Sequence, residues 1–456
     1  MSDDAPETAA PGAAAPEAAA QPVAVTAAAV LSPLGDRLDG FTASLLAGRS
    51  AVRMPSGDGS PDGGPLPVAA LDDFVLATWA ERHLAGHGET AALLRRVAGR
   101  AALPARTAAC VALRAVLDAG LEPGGSWGEE TALLVAGSNL ALAHQAATVL
   151  GHHSSPGRLR ASYALTHLDV DVVGTVSEVT GVRGEGWTVG GASASGTIAL
   201  LQGARMIASG WAHRVLVVAA AAELSPVEAE AFRRTGAMAH ETLRGTPERM
   251  CRPFDRDRQG FVRGEAAAAV LLESAAGARS RGAGVLAEIA GHGQRLDARR
   301  GTEPDARGQV AAMRAALRSA GLSAQDVDYV NAHGTGSVLG DEVEAASLRE
   351  VFGERRSLRI NSTKPLTGHC LSAAGLVEAV AVIGQLRAGS VHPNPNLDRP
   401  LDPGLPLAGT RAERHPMRTA LSNSFAFGGV NASVVLRLPG TARDAAAPIH
   451  PNPDHT

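Results

Sequence analysis

Short apolar runs alternate with longer amphipathic stretches along most of the chain. Short, uniformly apolar runs are typical of strands buried on both faces. They occupy residues 23–30, 131–136, 215–222, 267–272, 327–330 and 433–436. Apolar residues recur at helical spacing in the stretches 196–209, 310–319 and 373–386. Strands that alternate with helices in this way predict a layered α/β protein.

Four stretches depart from this alternation. Residues 1–22 and 438–456 carry few large apolar side chains, so we predict that both ends are disordered, because they cannot offset the entropy of ordering. A stretch rich in Gly, Pro and Asp at 54–67 predicts a surface loop. A polar stretch at 294–308, near mid-chain, is a candidate boundary between two halves.

Composition narrows the possible functions. The 456 residues are 45% hydrophobic, enough for a large core and for two or three domain-sized units. The formal charge of −4 provides no basic field for nucleic acid. The apolar run at 215–222 is too short to span a membrane, and the acidic, Ala/Pro-rich start lacks the pattern of a signal or transit peptide.

Cysteine and arginine usage adds two expectations. Cys110, Cys251 and Cys370 are too widely spaced for a disulfide framework or a metal site, which favours a reducing, cytoplasmic setting. Paired arginines are candidates for contact with an acidic protein partner, although solvated pairs would have the same pattern. These pairs are Arg158 and Arg160, Arg233 and Arg234, Arg299 and Arg300, and Arg355 and Arg356.

Lys364 is the only lysine among 42 basic residues. An ammonium is a compact point charge, whereas a guanidinium is a flat fork, so this position is a candidate for a tight pocket that admits only the ammonium. The segment 361–369 adds hydroxyls and the imidazole of His369. The alternative is that composition favoured arginine and one lysine survived by chance.

Ser193 lies in a run of small residues, 190–196, before the helical pattern that ends near Gly210. Small residues permit a sharp strand-to-helix turn that exposes one side chain, and a helix N-terminus offers amide donors to a developing anion. Ser193 is therefore a candidate nucleophile. The alternative is that these small residues have only a structural role, because tight packing of a strand against a helix requires the same residue types.

Two further segments combine glycine with functional side chains. His333 begins a glycine-rich stretch that is followed by Asp341 and Glu344, which have the spacing of a helix capping box. In the segment 422–431, two phenylalanines lie within a glycine-rich turn, and flexible backbone with bulky apolar plugs suggests a gate.

These segments, in this order, resemble the β-ketoacyl-acyl carrier protein synthase family of thiolase-fold condensing enzymes. The likeness includes residues 33–35 and 253–265 and covers roughly 23–437. It implies a five-layered α-β-α-β-α sandwich of two similar α/β halves, 23–280 and 281–437. It also implies a dimer, normally with a second copy and alternatively with another ketosynthase subunit.

The resemblance implies a role for each matching residue. His333 and His369 match the two histidines that support decarboxylation of a malonyl unit, with Lys364 and Glu378 as the accompanying lysine and acidic residue. The acyl group is carried on the phosphopantetheine of an acyl carrier protein, and neither a metal nor a bound cofactor is expected.

The gate and the substrate contacts are also implied by the resemblance. Phe425 matches the gating phenylalanine, and Phe427 lies beside it in the same turn. Thr335 and Ser337 match the stretch in which the family binds the substrate arm.

Ser193 occupies the position of the family's nucleophilic cysteine. A thiol has a reference pKa of about 8.5 and can ionise at a helix N-terminus, whereas a serine hydroxyl needs an adjacent general base. Chain elongation through an acyl-enzyme is therefore not expected to be the main activity. Stabilisation of an enolate by two histidines does not require the cysteine.

The leading hypothesis is a decarboxylase that converts malonyl-acyl carrier protein to acetyl-acyl carrier protein in polyketide or fatty-acid-type biosynthesis. One alternative keeps Ser193 as the nucleophile of an acyltransferase, hydrolase or cyclase that acts on carrier-bound chains. Another is a non-catalytic partner of a ketosynthase, like a chain-length factor. A slow serine-dependent condensation also stays open.

Overall fold

A computed structural model describes residues 23–55, 66–239 and 246–440. The N-terminal tail at 1–22, most of the C-terminal tail and the middle of the loop predicted at 54–67 lie outside the described residues.

Strands in the described residues are β1 Val23–Leu31, β2 Val68–Ala69, β3 Thr131–Ala136, β4 Gly186–Val189, β5 Arg214–Ala219, β6 Arg263–Gly264, β7 Ala267–Ser274, β8 Ala287–Leu296, β9 Tyr329–Asn331, β10 Arg359–Asn361, β11 Ser390–Val391, β12 Glu413–Arg414, β13 Thr419–Ala426 and β14 Val430–Arg437. Ten of these strands form one mixed sheet, and the two-residue strands pair separately as β2–β6 and β11–β12.

Helices in the described residues are α1 Leu38–Leu46, α2 Leu76–His83, α3 Gly88–Ala98, α4 Leu103–Asp118, α5 Leu142–Ser154, α6 Tyr163–Thr166, α7 Val170–Thr180, α8 Ser195–Ala208, α9 Pro226–Arg234, α10 Ala275–Ser280, α11 Ala306–Ser319, α12 Val338–Phe352, α13 Lys364–Thr367 and α14 Ala374–Ala388. One-turn 3₁₀ helices at Ala192–Ala194 and Leu371–Ala373 lead directly into α8 and α14.

The ten-stranded sheet consists of two five-stranded sets with the same topology. One set runs β4-β3-β5-β7-β1 and the other β10-β9-β13-β14-β8. When the five strands of each set are numbered in chain order, both sets have the spatial order 3-2-4-5-1 from the outer edge to the centre. Each set has two parallel pairings at its outer edge and two antiparallel pairings toward the centre. The sets join where β1 pairs with β8.

Side chains on the two faces of each set enter different hydrophobic clusters. On β7, Ala268, Val270 and Leu272 face a central cluster that includes α8 and α14, whereas Ala267 and Ala269 face an outer cluster with α2, α3, α4 and α7. The opposite face of the second set packs on α11 and α12. This period of two gives five layers, α-β-α-β-α, as predicted.

Helices α8 and α14 form the central layer and are buried along most of their length. Residues 371–388 have the length and composition of a membrane span, but 83% of this segment is buried within the protein. A helix of the central layer is covered by protein over most of its surface, so it is apolar nearly all round.

Candidate active site

A cavity of about 480 Å³ lies where the two central helices begin. Its walls include Ser193, His333, His369 and Phe425, which the sequence singled out in four separate segments. The turn before α8, the loop after β9, the turn before α14 and the end of β13 each contribute one of these residues. The fold therefore brings together side chains that are far apart in the chain.

Ser193 lies in the 3₁₀ turn between β4 and α8. The preceding Ala192 has φ +47°, in the left-handed region that non-glycine residues rarely adopt, and the turn directs Ser193 toward the cavity. Its Oγ lies 2.9 Å from Nε2 of His369. This is hydrogen-bond distance between a hydroxyl and an imidazole.

The other ring nitrogen of His369 determines which group donates in this bond. Nδ1 accepts a hydrogen bond from the backbone N–H of Leu371 at 3.3 Å, so the neutral ring carries its proton on Nε2. Burial, assisted by the charge of Lys364, holds the pKa of His369 well below its usual range. His369 therefore donates to Ser193 and does not act as its base in this arrangement.

His333 is held in a similar state. Its Nδ1 lies 3.5 Å from the ammonium of Lys364, which can only donate, so Nδ1 is the acceptor and Nε2 carries the proton. Burial, with smaller contributions from Lys364 and His369, lowers the pKa of His333 well below its usual range. The centres of the two imidazole rings are 5.5 Å apart. The cavity thus contains two neutral imidazoles with N–H donors.

Lys364 is 1% exposed and holds His333 from behind. Its ammonium donates to the backbone oxygen of His333 and to Oε1 of Glu378, each at 2.5 Å. Burial raises the pKa of Glu378, and the neighbouring Lys364 opposes that rise. Three acceptors converge on one compact cation, which is a geometry that a planar guanidinium does not match.

Asp341 and Glu344 do not form the predicted capping box. Helix α12 begins earlier, at Val338, and both side chains are buried inside it. Glu344 accepts the backbone N–H groups of His333 and Gly334, and Asp341 accepts those of residues 254, 335 and 336. Burial raises the pKa of Asp341 to about 6 and that of Glu344 to about 7.

The prediction failed because the amide donors come from the preceding loop and from a distant segment, which short-range spacing cannot show. The two carboxylates fix the loop that carries His333.

The phenylalanines of the predicted gate lie at the end of β13 and in the turn that follows. Phe425 is buried and its ring centre is 6.1 Å from that of His333, whereas Phe427 is 37% exposed. Phe232 lies 6.1 Å from Phe427, and Phe261 packs edge-on against His369 at 5.2 Å. Phe232 is a site residue that no sequence pattern singles out, because it lies in an ordinary amphipathic helix.

Thr335 and Ser337 line the cavity on the side of α12. Their hydroxyls lie 2.9 Å apart, and the Thr335 oxygen also accepts the N–H of Ser337. Cys370, beside His369, is buried, and burial raises the pKa of its thiol to about 12. It is therefore a packed thiol and not a nucleophile at neutral pH.

Two protein-family models match the chain. The N-terminal domain of beta-ketoacyl synthases matches residues 20–278, and the C-terminal domain matches residues 286–398. Among curated proteins, the chain is 32% identical over 413 residues to the polyketide biosynthesis malonyl-ACP decarboxylase PksF of Bacillus subtilis, covering 91% of this chain and 95% of that protein. It is 30% identical over 428 residues to 3-oxoacyl-[acyl-carrier-protein] synthase 2 of Vibrio cholerae, covering 91% and 98%.

Solved structures with similar folds carry related names. A beta-ketoacyl synthase from Burkholderia phymatum aligns with TM-score 0.79 at 29% identity, covering 92% of this chain and all of that chain. The ishigamide ketosynthase/chain length factor aligns with TM-score 0.78 at 28% identity over the same shares. A ketosynthase in complex with its type II polyketide acyl-carrier protein, AntDE:AntF, aligns with TM-score 0.77 at 25% identity, also over the same shares.

Proposed function

Because the chain belongs to the beta-ketoacyl synthase family, we propose that it acts on acyl groups bound to an acyl carrier protein and decarboxylates malonyl-acyl carrier protein to acetyl-acyl carrier protein. The relative PksF, which is named a malonyl-ACP decarboxylase, supports this choice. Serine at position 193, where the family resemblance expects the nucleophilic cysteine, favours a reaction without an acyl-enzyme.

One observation carries the proposal: the backbone N–H of Leu371 bonds to Nδ1 of His369. This bond keeps the proton on Nε2, so His369 is a hydrogen-bond donor to the cavity and not a base for Ser193. His333, with Lys364 behind its Nδ1, is a donor in the same way. Two neutral donors aimed at one cavity suit the stabilisation of an oxyanion.

The proposed reaction uses these donors directly. The thioester carbonyl oxygen of the malonyl group accepts a hydrogen bond from Nε2–H of His333. It accepts a second one from Nε2–H of His369, where it replaces Ser193 Oγ as the acceptor. The bond between the carboxylate carbon and the α-carbon breaks, and its electron pair moves toward the carbonyl oxygen to give an enolate while carbon dioxide leaves. A proton from water then adds to the α-carbon, which gives the acetyl thioester. The net reaction consumes one proton and releases one carbon dioxide.

A serine-dependent acyltransferase is the second candidate. The distance of 2.9 Å between Ser193 Oγ and His369 Nε2 is that of a nucleophile and its base. Base catalysis would require the proton on Nδ1, where it would face the N–H of Leu371. That opposition of two donors makes the acyltransferase the less favoured candidate.

The remaining roles belong to the same proposal. Lys364 and Glu378 position His333, Thr335 and Ser337 contact the phosphopantetheine arm, and Phe425 and Phe427 gate the cavity. We place the protein in the cytoplasm as a dimer with a second copy. Residues 23–280 and 281–437 are its two catalytic halves, with the cavity between them.

Replacement of Ser193 separates the two candidates. If the hydroxyl is only a hydrogen-bond partner, Ser193→Ala keeps decarboxylation within about tenfold, the effect of losing roughly 1.4 kcal/mol in the transition state. Loss of one oxyanion donor is more damaging, so His333→Ala and His369→Ala each lower the rate by about 10²-fold or more. Mass spectrometry of the carrier protein follows the loss of carbon dioxide.

Intact-mass spectra of this protein decide against the proposal if they show an acyl ester on Ser193 and if Ser193→Ala lowers the rate by several orders of magnitude. Ser193→Cys provides the complementary variant, because a thiol at this helix N-terminus can ionise and become acylated. Acylation of the cysteine variant alone agrees with the decarboxylase.

A further inference from the structure

The two central helices begin side by side at the cavity. A Cβ on Gly196, in the first turn of α8, would lie 2.4 Å from the amide nitrogen of Leu376, and a Cβ on Gly375, in the first turn of α14, would lie 2.7 Å from that of Thr197. Only glycine permits this approach. Each helix N-terminus carries a partial positive charge, so the two ends reinforce each other at the cavity.

Ser372 lies at the start of α14 as Ser193 lies at the start of α8. Leu371 before it has φ +52°, close to the φ of +47° at Ala192 before Ser193, and each serine occupies a 3₁₀ turn. Ser372 is only 7% exposed and lines the cavity. Its Oγ has no hydrogen-bond partner among the residues that the structure describes. A buried hydroxyl without a partner is costly, which points to a ligand that supplies one.

The side chains that line the cavity provide no positive charge for an anionic ligand. No lysine or arginine is among the described residues that line it, whereas five acidic residues are: Glu223, Glu228, Asp297, Asp341 and Glu344. His333 and His369 are neutral because burial lowers the pKa of each. Positive potential for an anion therefore comes from the paired helix ends beside Ser193 and Ser372.

We propose that the paired N-termini of α8 and α14, with the Ser372 hydroxyl as donor, bind the free carboxylate of a short dicarboxylic acyl thioester of the malonyl type. This inference rests on the proposed decarboxylase function and adds the site that selects the charged substrate. The carbonyl of such a substrate lies at the two imidazoles and its carboxylate is two bonds away. Ser193 Oγ, at 2.9 Å from His369, marks the start of that region.

A weak anion site suits this chemistry better than an arginine. The carboxylate must lose its charge as carbon dioxide forms, and any group that binds it equally strongly in the ground state opposes that loss. A hydroxyl and helix ends provide partial charges, whereas a guanidinium provides a full one. The site therefore recognises the carboxylate without holding it against departure.

Binding of two inert substrate analogues tests this site without turnover. The probes are pantetheine amides of malonate and of acetate, in which the amide replaces the thioester. We expect the wild-type protein to bind the malonyl amide about tenfold or more tightly than the acetyl amide, as for a hydrogen bond to a charged group. Ser372→Ala removes most of that preference and leaves acetyl amide binding within about twofold.

Ser138→Ala is the matched control, because Ser138 is a hydroxyl on the same cavity that lies outside both helix starts. We expect Ser138→Ala to keep the preference for the malonyl amide over the acetyl amide. Ser372→Cys, which nearly preserves volume and has only a weak donor, loses the preference even if the alanine variant unfolds. A preference that is absent in the wild type, or unchanged in both Ser372 variants, overturns the inference.

Decarboxylation of malonyl-acyl carrier protein is measured separately on the same proteins. If the wild-type protein prefers the malonyl amide but releases no carbon dioxide, the carboxylate site is supported and the proposed decarboxylase activity is refuted. The two failures are thus distinguishable.

Discussion

Neutral imidazoles are the central property of the site at the scale of single residues. The ammonium of Lys364 faces Nδ1 of His333 and contributes to the low pKa of both histidines. A cation in this place keeps the rings uncharged, and an uncharged ring retains one N–H donor at any pH above its lowered pKa. Lys364 therefore sets the protonation state of the histidines as well as the position of His333.

The exchange of this lysine for arginine tests that role. Lys364→Arg keeps the positive charge, but a planar guanidinium cannot approach the His333 oxygen and Glu378 as closely in a space that leaves Lys364 only 1% exposed. We expect decarboxylation to fall by about 10²-fold, because His333 is displaced as an oxyanion donor.

Steady-state kinetics with malonyl-acyl carrier protein measures this loss, and a thermal melt shows whether the variant is folded. Arg100→Lys, at an exposed arginine outside the paired arginines named above, is the control. A Lys364→Arg variant with wild-type kinetics contradicts the positioning role.

At the scale of elements, the sequence predicted strands well where they are uniformly apolar. The bounds predicted for β3 are those observed, and α8 was displaced by one residue. Strands β8 and β13 were missed because they carry polar residues, which suggest a loop when they are taken in isolation. In β13, Asn423 and Ser422 are buried and bond to Ser433 and Asn331 of other strands. Such partners cannot be deduced from local periodicity.

The candidate site, like the strands, could be predicted only in part from the sequence. Ser193, His333, Lys364 and His369 lie in segments with unusual composition, and the structure brings all four together. The turn geometry at Leu371, which fixes the proton of His369, has no sequence signature, because leucine seldom has a positive φ. The roles of these residues stay predictions.

Close packing of α8 on α14 gives a prediction about stability. Gly196→Ala places a methyl group 2.4 Å from a backbone nitrogen of α14, so we expect a loss of about 1–3 kcal/mol in the free energy of unfolding from overpacking. Gly174→Ala is the matched control, because Gly174 lies in α7, where an added methyl group would have no atom within 4 Å, and should gain about 0.5–1 kcal/mol. Urea unfolding of both variants measures the two effects, and equal values would contradict the packing argument.

At the scale of the whole molecule, the two halves repeat one topology although no sequence repeat is visible by eye. Both halves have the same strand order, and in each half a residue with a left-handed backbone conformation precedes a serine. Core packing constrains the volume of the side chains and the direction in which they point, and many different apolar sequences satisfy these constraints. The repeat therefore survives in the fold and in the placement of Ser193 and Ser372.

An exposed apolar face indicates where a second copy would bind. Helix α5 has no buried residue, and Val149 and Leu150 are 60% and 71% exposed. Strand β4, with Trp187 at 40% exposure, lies at the edge of the sheet. Exposed apolar side chains and a free strand edge are each typical of an interface.

We expect light scattering to give twice the chain mass of 46.4 kDa for the wild type. A charge at the centre of the face, as in Leu150→Glu, shifts the protein toward the monomer. Val75→Glu, at a residue that is 56% exposed elsewhere, leaves the mass unchanged. A monomeric wild type would refute the dimer.

The position of β1 in the sheet determines the order of events during synthesis. β1 is an early segment of the chain, yet its partners are β7 and β8, and Leu31 precedes Ser274 by about 240 residues. A ribosome adds roughly 5–20 residues per second, so β1 waits about 12–50 s for the strand it pairs with. During that time an uncharged strand with two unpaired edges is exposed, which is the condition under which nascent chains aggregate. Productive folding of this protein therefore requires that β1 stays out of intermolecular sheets until β7 has been synthesised.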